Sequence, residues 1–227
     1  MSQEETRNSK GKYYSVIDGT FRVQVPESHP DAVRREWSTP DGKSGVKYER
    51  EVQALFGTIT DIQFNEGEYG KNINIVLDET EDGETPIISL STSSRYGESV
   101  LKLLPAIDVE KEVRIQPYSF IPEGKEKEVR GISVAHRDEN GNFTVKVQNH
   151  FFDQESKKAL HGYPTPEIAE GESWDADEWK GFYAKARKFM EKYATENVLP
   201  KFKQKEEEKG FEYPAGDEVN PEDLPAF

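Results

Sequence analysis

Three features of the sequence contain residue types that do chemistry in other proteins, but each lacks part of the required pattern. Gly42-Lys43-Ser44 has the end of a phosphate-binding loop, yet Trp37 stands where that loop needs a glycine. The acids before Asp82-Gly83 imitate a calcium loop, but Ser89 occupies the position of its bidentate glutamate. The four histidines have no helical pairing, and the chain has no cysteine to complete a metal site. We therefore predict no catalytic residue, no metal site and no cofactor.

Aromatic residues interleaved with cations are the remaining candidates, and their chemistry is that of binding. Bases of a single nucleic acid strand stack on aromatic faces while Lys and Arg hold the phosphates. The main candidates are Tyr69, Lys71, Arg95, Tyr96, Arg114, Tyr118, Phe120, Lys125, Lys127 and Arg130. A second group, expected to form an upstream wall, is Trp37, Lys43, Lys47, Tyr48 and Arg50. Taken singly, each residue has a simpler interpretation as a core aromatic or a solvated surface cation.

The net charge of −14 is unevenly distributed along the 227 residues. Residues 206–227 carry eight acids and one base, so this segment holds −7 and the rest of the chain the other −7. A groove for phosphates must therefore collect its cations locally. Apolar residues make up 33% of the chain and aromatic residues 11%, which predicts a folded core with polar ends.

Hydrophobic periodicity predicts the elements that must position these residues. We expect a hairpin over residues 13–25 with its turn at Asp18-Gly19, a short helix over 30–37, and a long strand over 46–64 that bends at Gly57. Further strands are expected at 73–77, 87–90, 113–118, 129–136 and 143–147, with a helix over 93–104. A capping box, Asp175 to Glu178, begins an amphipathic helix over 175–197, whose aromatic stripe is expected to pack on the barrel.

The order of three strands, a helix and two strands predicts a mainly β fold. Its expected architecture is the OB fold, a five-stranded Greek-key barrel that presents strands two and three and their loops to a ligand. A generic β-sandwich is the alternative, but it gives no reason for a helix at that one place. We predict a disordered segment 1–12, a folded domain 13–204 that includes added N-terminal strands and the C-terminal helix, and a disordered acidic tail 205–227.

An apolar tip follows the acidic run of the tail. Its candidate partner-binding residues are Glu222, Asp223, Leu224, Pro225 and Phe227. Phe227 suits an apolar slot on another protein, and the acids suit Lys and Arg beside that slot. The alternative is a tail that only increases solubility.

Two parts of the sequence resemble a known family. The tip, Glu222-Asp-Leu-Pro-Ala-Phe227, resembles that of bacterial and phage single-stranded DNA-binding proteins, which end in aspartates followed by Ile-Pro-Phe or Phe. The core, from Gly57-Thr-Ile-Thr-Asp-Ile through Tyr69-Gly70 to Tyr118, resembles the OB fold of phage-type members. Two features depart from the family pattern: Ala226 lies between Pro225 and Phe227, and the linker lacks a long Gly/Gln-rich stretch.

The resemblance implies a function and a location. In that family the barrel coats single strands during replication and recombination, and the tip recruits polymerase, primase, helicase or nuclease partners. It implies a non-enzymatic protein in the cytoplasm of a bacterial cell or phage-infected host. The sequence agrees with that location, since no apolar run reaches the ~20 residues of a membrane span and residues 1–5 do not form a signal peptide.

Two other functions remain open at this point. The acidic body favours an OB module that binds replication or recombination proteins without coating DNA. A nuclease with clustered carboxylates is the third alternative.

Overall fold

The fold consists of short strands and two helices. The computed structural model describes residues 10–39, 42–67, 70–168 and 173–202. The strands are β1 (Lys10–Ile17), β2 (Thr20–Gln24), β3 (Val33–Ser38), β4 (Ser44–Val52), β5 (Leu55–Gly57), β6 (Ile59–Gly67), β7 (Gly70–Leu77), β8 (Glu84–Ser91), β9 (Val113–Phe120), β10 (Val129–His136), β11 (Val145–Lys146), β12 (Phe152–Asp153) and β13 (Lys158–Ala159). The helices are α1 (Arg95–Leu103) and α2 (Ala176–Asn197), and a 3-10 turn, Leu104–Ala106, follows α1.

Two sheets share one hydrophobic core. The larger has the strand order β3-β4-β2-β1-β8-β7-β6, and the smaller has the order β11-β10-β9-β5. The strands pair antiparallel except that β1 runs parallel to β8. Among the described residues β8 and β10 form no ladder, so the two sheets do not close into one continuous barrel.

Gly57 turns the chain from one sheet into the other. It lies between β5, which pairs with β9, and β6, which pairs with β7. Its φ of 146° favours glycine, and a Cβ atom there would lie 2.3 Å from the Asp78 carboxylate. The strand predicted over 46–64 is therefore found as β4, β5 and β6, with its bend at the predicted glycine.

The turn between β1 and β2 is a two-residue hairpin at Asp18-Gly19, as predicted. Both residues have positive φ values, 49° and 78°, which Asp-Gly turns of this length require. Gly19 packs against the backbone of Ser119 at the end of β9, where a Cβ atom would lie 2.6 Å from the amide nitrogen. The hairpin is thereby fixed to the smaller sheet.

Helix α1 fills the space between β8 and β10. Ser94 caps it by accepting a hydrogen bond from the Gly97 amide at 3.0 Å. The buried side chains of α1 include Val100 and Leu101. Gly97 lies so near β8 that a Cβ atom would be 2.1 Å from the Ser91 carbonyl oxygen.

Helix α2 begins at the predicted capping box and packs on α1 through its second half. Ala186, Met190 and Ala194 are buried there. No residue of the first half, 176–185, is buried. The aromatic rings at this end, Trp174, Trp179, Phe182 and Tyr183, contact one another instead. The second half of the helix therefore joins the hydrophobic core, where it packs on α1, and the first half does not. The expected packing of the aromatic stripe on the barrel is met only to that extent.

The prediction of a mainly β fold with a C-terminal helix is confirmed. The short helix predicted over 30–37 is wrong: Val33–Ser38 is the edge strand β3, which pairs with β4 over six residues. The open edge of β4 offers ladder hydrogen bonds that a short isolated helix cannot match. The predicted disordered tail lies outside the described residues, as do residues 1–9 of the predicted disordered N-terminal segment. Within the described ranges, no helix has the length and apolar character that a membrane span requires.

Two glycine substitutions test the packing of α1. Gly97→Ala is expected to lower the free energy of unfolding by about 1–3 kcal/mol, because the new methyl group forces α1 away from the Ser91 carbonyl. Gly181→Ala is the matched control, since a Cβ atom at this position of α2 would meet no other atom within 4 Å. This change should raise stability by about 0.5–1 kcal/mol. Urea denaturation measures both, and equal effects of the two changes would contradict this packing.

Candidate nucleic-acid interface

Strand β9 presents aromatic and cationic side chains on the outer face of the smaller sheet. Its alternate residues Val113, Ile115 and Pro117 face the core and are buried. The intervening residues face outward: Arg114, Gln116, Tyr118 and Phe120. Phe120 is 52% exposed, and its ring lies 5.9 Å from that of Tyr118 between centroids.

Strand β10 contributes small residues to the same outer face. Gly131 lies opposite Tyr118, Ser133 opposite Gln116 and Ala135 opposite Arg114. Directly opposed residues of an antiparallel pair point to the same side of the sheet. These small residues form a low floor beside the large side chains of β9, and of the three only Ser133 is partly exposed. We call this surface, formed by the outward residues of β9 and β10, the β9–β10 face.

Tyr118 lies across Gly131. A Cβ atom at Gly131 would be 2.4 Å from the tyrosine hydroxyl oxygen and 2.7 Å from its Cζ atom. Any side chain at position 131 would therefore displace the ring. The missing side chain allows Tyr118 to lean toward α1 with part of its ring exposed.

A groove between α1 and β10 continues this face. It encloses about 300 Å³, and its lining includes Arg95, Lys102, Tyr118, Arg130 and Asn149. Arg95 and Lys102 make no ion pair with any described residue, and Glu98 is the one carboxylate among the described lining residues. The groove therefore concentrates positive charge on an acidic protein.

Arg130 is already engaged by carboxylates. Its guanidinium lies 2.6 Å from Glu128 and 3.7 Å from Asp18. The hydrogen bond to Glu128 raises the pKa of Arg130 and lowers that of Glu128. A phosphate would have to compete with Glu128 for this cation, so Arg95 and Lys102 are the more available ones.

The five residues predicted as an upstream wall do not share one surface. Trp37 and Lys47 lie on one face of the β3–β4 pair, whereas Tyr48 and Arg50 lie on the other, since neighbouring residues of a strand alternate. Lys47 is 2.7 Å from the buried Glu49. Lys43 is exposed beside β4. The predicted wall is therefore divided by the sheet.

Tyr48 and Trp37 are each occupied within this sheet. The Tyr48 hydroxyl donates a hydrogen bond to Glu27, which raises the pKa of Tyr48. Trp37 lies over Gly45, where a Cβ atom would be 2.8 Å from the indole ring. Neither contact brings these residues to the β9–β10 face.

Two further candidates have structural contacts of their own. Tyr96 is only 7% exposed, and its hydroxyl accepts a hydrogen bond from the Gly19 amide at 2.8 Å, which leaves its ring no face for a base. Lys71 lies 3.5 Å from Glu191 of α2 and 5.1 Å from the centre of the Phe64 ring. Both residues hold elements together.

The remaining candidates lie at the end of β9 or outside the described residues. Lys125 and Lys127 are exposed in the loop that follows Phe120. Tyr69 and the tip residues Glu222, Asp223, Leu224, Pro225 and Phe227 belong to the ranges that the structure does not describe.

The expected binding strands are not the ones that carry the cations. The outward residues of β7 and β8 are polar and uncharged at their centre, namely Asn72, Asn74, Ser89 and Ser91. Hydroxyl and amide groups at this position give phosphates no counter-charge. The cations and exposed aromatics that the structure describes on the β9–β10 face make that face the better candidate.

Sequence reasoning missed Lys102, Asn149 and Gly131. Lys102 follows Arg95 by seven residues, which places both on one side of a helix, so this residue was recognisable from the sequence. Gly131 and Asn149 gave no comparable signal, because their roles depend on tertiary contacts with Tyr118 and with α1.

A stacked histidine pair lies behind the groove. The His150 amide donates to the Lys102 carbonyl oxygen at 2.9 Å, and its ring lies 3.9 Å from that of His161 at an angle of 4°. The Nε2 atom of His150 is 2.9 Å from the Tyr193 hydroxyl. Burial lowers the pKa of His150, and the nearby His161 and Lys201 lower it further.

No protein-family model, curated protein or solved structure matches this chain. In the parts of the chain that the structure describes, no three His, Cys, Asp or Glu side chains are grouped as a metal site would require.

Stability is expected to fall between pH 7.5 and pH 5.5. Burial also lowers the pKa of His136, whose Nε2 atom accepts a hydrogen bond from the Asp108 amide at 3.2 Å. A histidine with a lowered folded pKa stabilises the protein fully above its unfolded value of about 6.5, and this stability is lost as the pH falls through the folded value. The free energy of unfolding in urea at the two pH values measures the effect.

Two variants assign this pH dependence. His150→Gln and His136→Gln should each reduce the loss of stability between the two pH values. His29→Gln is the control, because it changes a partly exposed histidine in the loop between β2 and β3. A loss that is the same in all four proteins would show that neither His150 nor His136 is responsible.

Proposed function

We propose that the protein binds single-stranded DNA on the β9–β10 face and in the groove between α1 and β10. One observation carries the proposal: the partly exposed Tyr118 ring lines the groove together with the cations Arg95 and Lys102, which have no described carboxylate partner. The exposed Phe120 ring lies next to Tyr118. Aromatic faces stack bases and the cations neutralise phosphates.

The face suits an unpaired strand better than a duplex. Bases stack on side chains only when they are released from their own stack, and a sheet surface with a low floor does not enter a duplex groove. Stacking accepts every base, so we expect little sequence preference. Because phosphate neutralisation releases counterions, binding should weaken with rising salt.

The chain topology supports the OB-fold part of the proposal. In a Greek key, three consecutive strands are followed by a fourth that returns to lie beside the first. Here β5–β6, β7 and β8 are consecutive, and β9 returns after α1 to pair with β5. Helix α1 occupies the open side between β8 and β10, which accords with a partly open barrel.

Replacement of Tyr118 tests the proposed interface. Tyr118→Ala should weaken binding of fluorescein-labelled oligo-dT by about 1–3 kcal/mol, because one stacking platform is lost. Tyr13→Ala is the matched control, since Tyr13 is 59% exposed on the larger sheet. Fluorescence anisotropy at low salt, with duplex DNA of the same length as competitor, measures both affinities.

Three outcomes would reject the proposal. They are no binding of oligo-dT at low salt, equal affinity for duplex and single strands, and loss of binding in Tyr13→Ala but not in Tyr118→Ala. The first result would favour an acidic OB module that binds replication or recombination proteins without coating DNA.

The second part of the proposal assigns partner recruitment to the tip. Phe227→Ala should remove a replication or recombination protein from the set recovered with the immobilised protein from host lysate, because the apolar anchor is lost. Tyr213→Ala is the matched control, as it removes an aromatic ring from the same acidic segment outside the tip. If both variants recover the set obtained with the unmodified protein, the tip has no anchoring role.

A further inference from the structure

A row of side chains crosses the smaller sheet at the end distant from Tyr118. Phe56 of β5 lies opposite Arg114 of β9, Arg114 lies opposite Ala135 of β10, and Ala135 lies opposite Lys146 of β11. Opposed residues in antiparallel ladders share a face, so Phe56, Arg114 and Lys146 point to the same side as Tyr118. The aromatic and cationic residues of this row thus extend the β9–β10 face.

The Phe56 side chain is exposed, and its ring contacts that of Phe143. Its neighbours Leu55 and Gly57 are buried, whereas Phe56 is 51% exposed. Its ring lies 5.1 Å from the Phe143 ring, and the Arg137 guanidinium lies 5.4 Å from the centre of the Phe143 ring. Phe56 therefore presents apolar surface to solvent on a support of other side chains, as a base-stacking platform requires.

The cations of the row have no described carboxylate partner. Neither Arg114 nor Lys146 forms an ion pair with a residue in the described ranges. Of the carboxylates nearby, Glu112 is already 2.6 Å from Arg137, and Asp138 accepts hydrogen bonds within its own turn. Arg114 and Lys146 are thus available to phosphates next to the Phe56 ring.

The distance between the two ends fits a short length of a single strand. Tyr118 follows Arg114 by four positions along β9, a distance of about 13 Å between their Cα atoms. Arg114 and Phe56 lie on neighbouring strands, about 4.8 Å apart. The Cα atoms of Phe56 and Tyr118 are therefore about 14 Å apart along the face. This length corresponds to about four nucleotides at the ~3.4 Å rise of a stacked strand, and to fewer in an extended one.

We propose that Phe56, with Arg114 and Lys146, forms a second base-stacking subsite for the same single strand of DNA. This inference rests on the proposed function. It places the DNA strand along β9, with Phe120 and Tyr118 at one end and Phe56 at the other. Between the two subsites, Ser133 is the partly exposed residue of the floor.

Substitutions that separate stacking from simple apolar contact test the subsite. Phe56→Leu keeps an apolar side chain but removes the ring, and should lower the affinity for labelled dT12 about five- to a hundredfold. Phe56→Tyr keeps the ring and should retain the affinity of the unmodified protein. Tyr13→Leu is the control for a general effect of removing an exposed ring, and urea denaturation checks that each variant is folded.

The salt dependence tests the phosphate contact. Arg114→Gln should reduce the slope of log affinity against log salt concentration by about 0.7, the value for one phosphate contact on a single strand. Lys158→Gln replaces an exposed cation on β13 and should leave the slope unchanged.

The outcomes distinguish the subsite from the proposed function. If Tyr118→Ala weakens dT12 binding while Phe56→Leu and Arg114→Gln do not, the second subsite is refuted and the function stands. If the unmodified protein does not bind dT12, the proposed function fails first. If Phe56→Leu and Phe56→Tyr weaken binding equally, Phe56 does not act as a stacking platform.

Discussion

The contact of α1 with the strands on either side of it is the constraint on which the β9–β10 face and its groove depend. Because β8 and β10 form no ladder within the described residues, the Ile132 amide and carbonyl at the edge of β10 need other partners. The Ser99 hydroxyl bonds to both, at 3.0 and 3.1 Å. Gly97 lets α1 approach the Ser91 carbonyl closely, and this approach sets the position of Arg95 and Lys102 along the groove.

The distribution of carboxylates decides which cations are available. On the larger sheet, Arg35 and Lys47 lie against the buried Glu49, and Arg22 lies 3.5 Å from Glu51. A cation paired in this way has little attraction left for a phosphate, because the carboxylate must first be displaced. No residue of β9 or β10 carries a carboxylate. Glu128 lies just before β10 and pairs with Arg130. This acidic protein thus has a basic face because β9 and β10 contain no acidic residues.

Much of the fold could be predicted from the sequence, because strand periodicity and turn residues act locally. The strand 129–136, the Asp18-Gly19 turn and the bend at Gly57 are found where the pattern predicted them. The candidate site was harder to predict from the sequence. Tyr96 and Tyr118 both follow a cation within a few residues, yet one ring is buried and the other leans over Gly131. Tertiary contacts separate them, since Tyr96 bonds to the β1–β2 turn and Tyr118 lies opposite Gly131 of β10. The division of the predicted wall, in contrast, follows from alternation along β4 and was foreseeable.

The chemistry of the β9–β10 face favours a nucleic acid strand over a protein as its ligand. The core of a protein interface is depleted of Lys, Glu and Asp, although Arg is enriched at interfaces, and a stable interface covers about 800 Å² on each partner. Here the rings of Tyr118 and Phe56 flank a centre that holds Arg114, Gln116 and the small residues of β10. A protein surface would have to bury the Arg114 guanidinium or provide a carboxylate for it. A single strand of DNA matches this arrangement, because each nucleotide supplies both an apolar base for a ring and a phosphate for a cation.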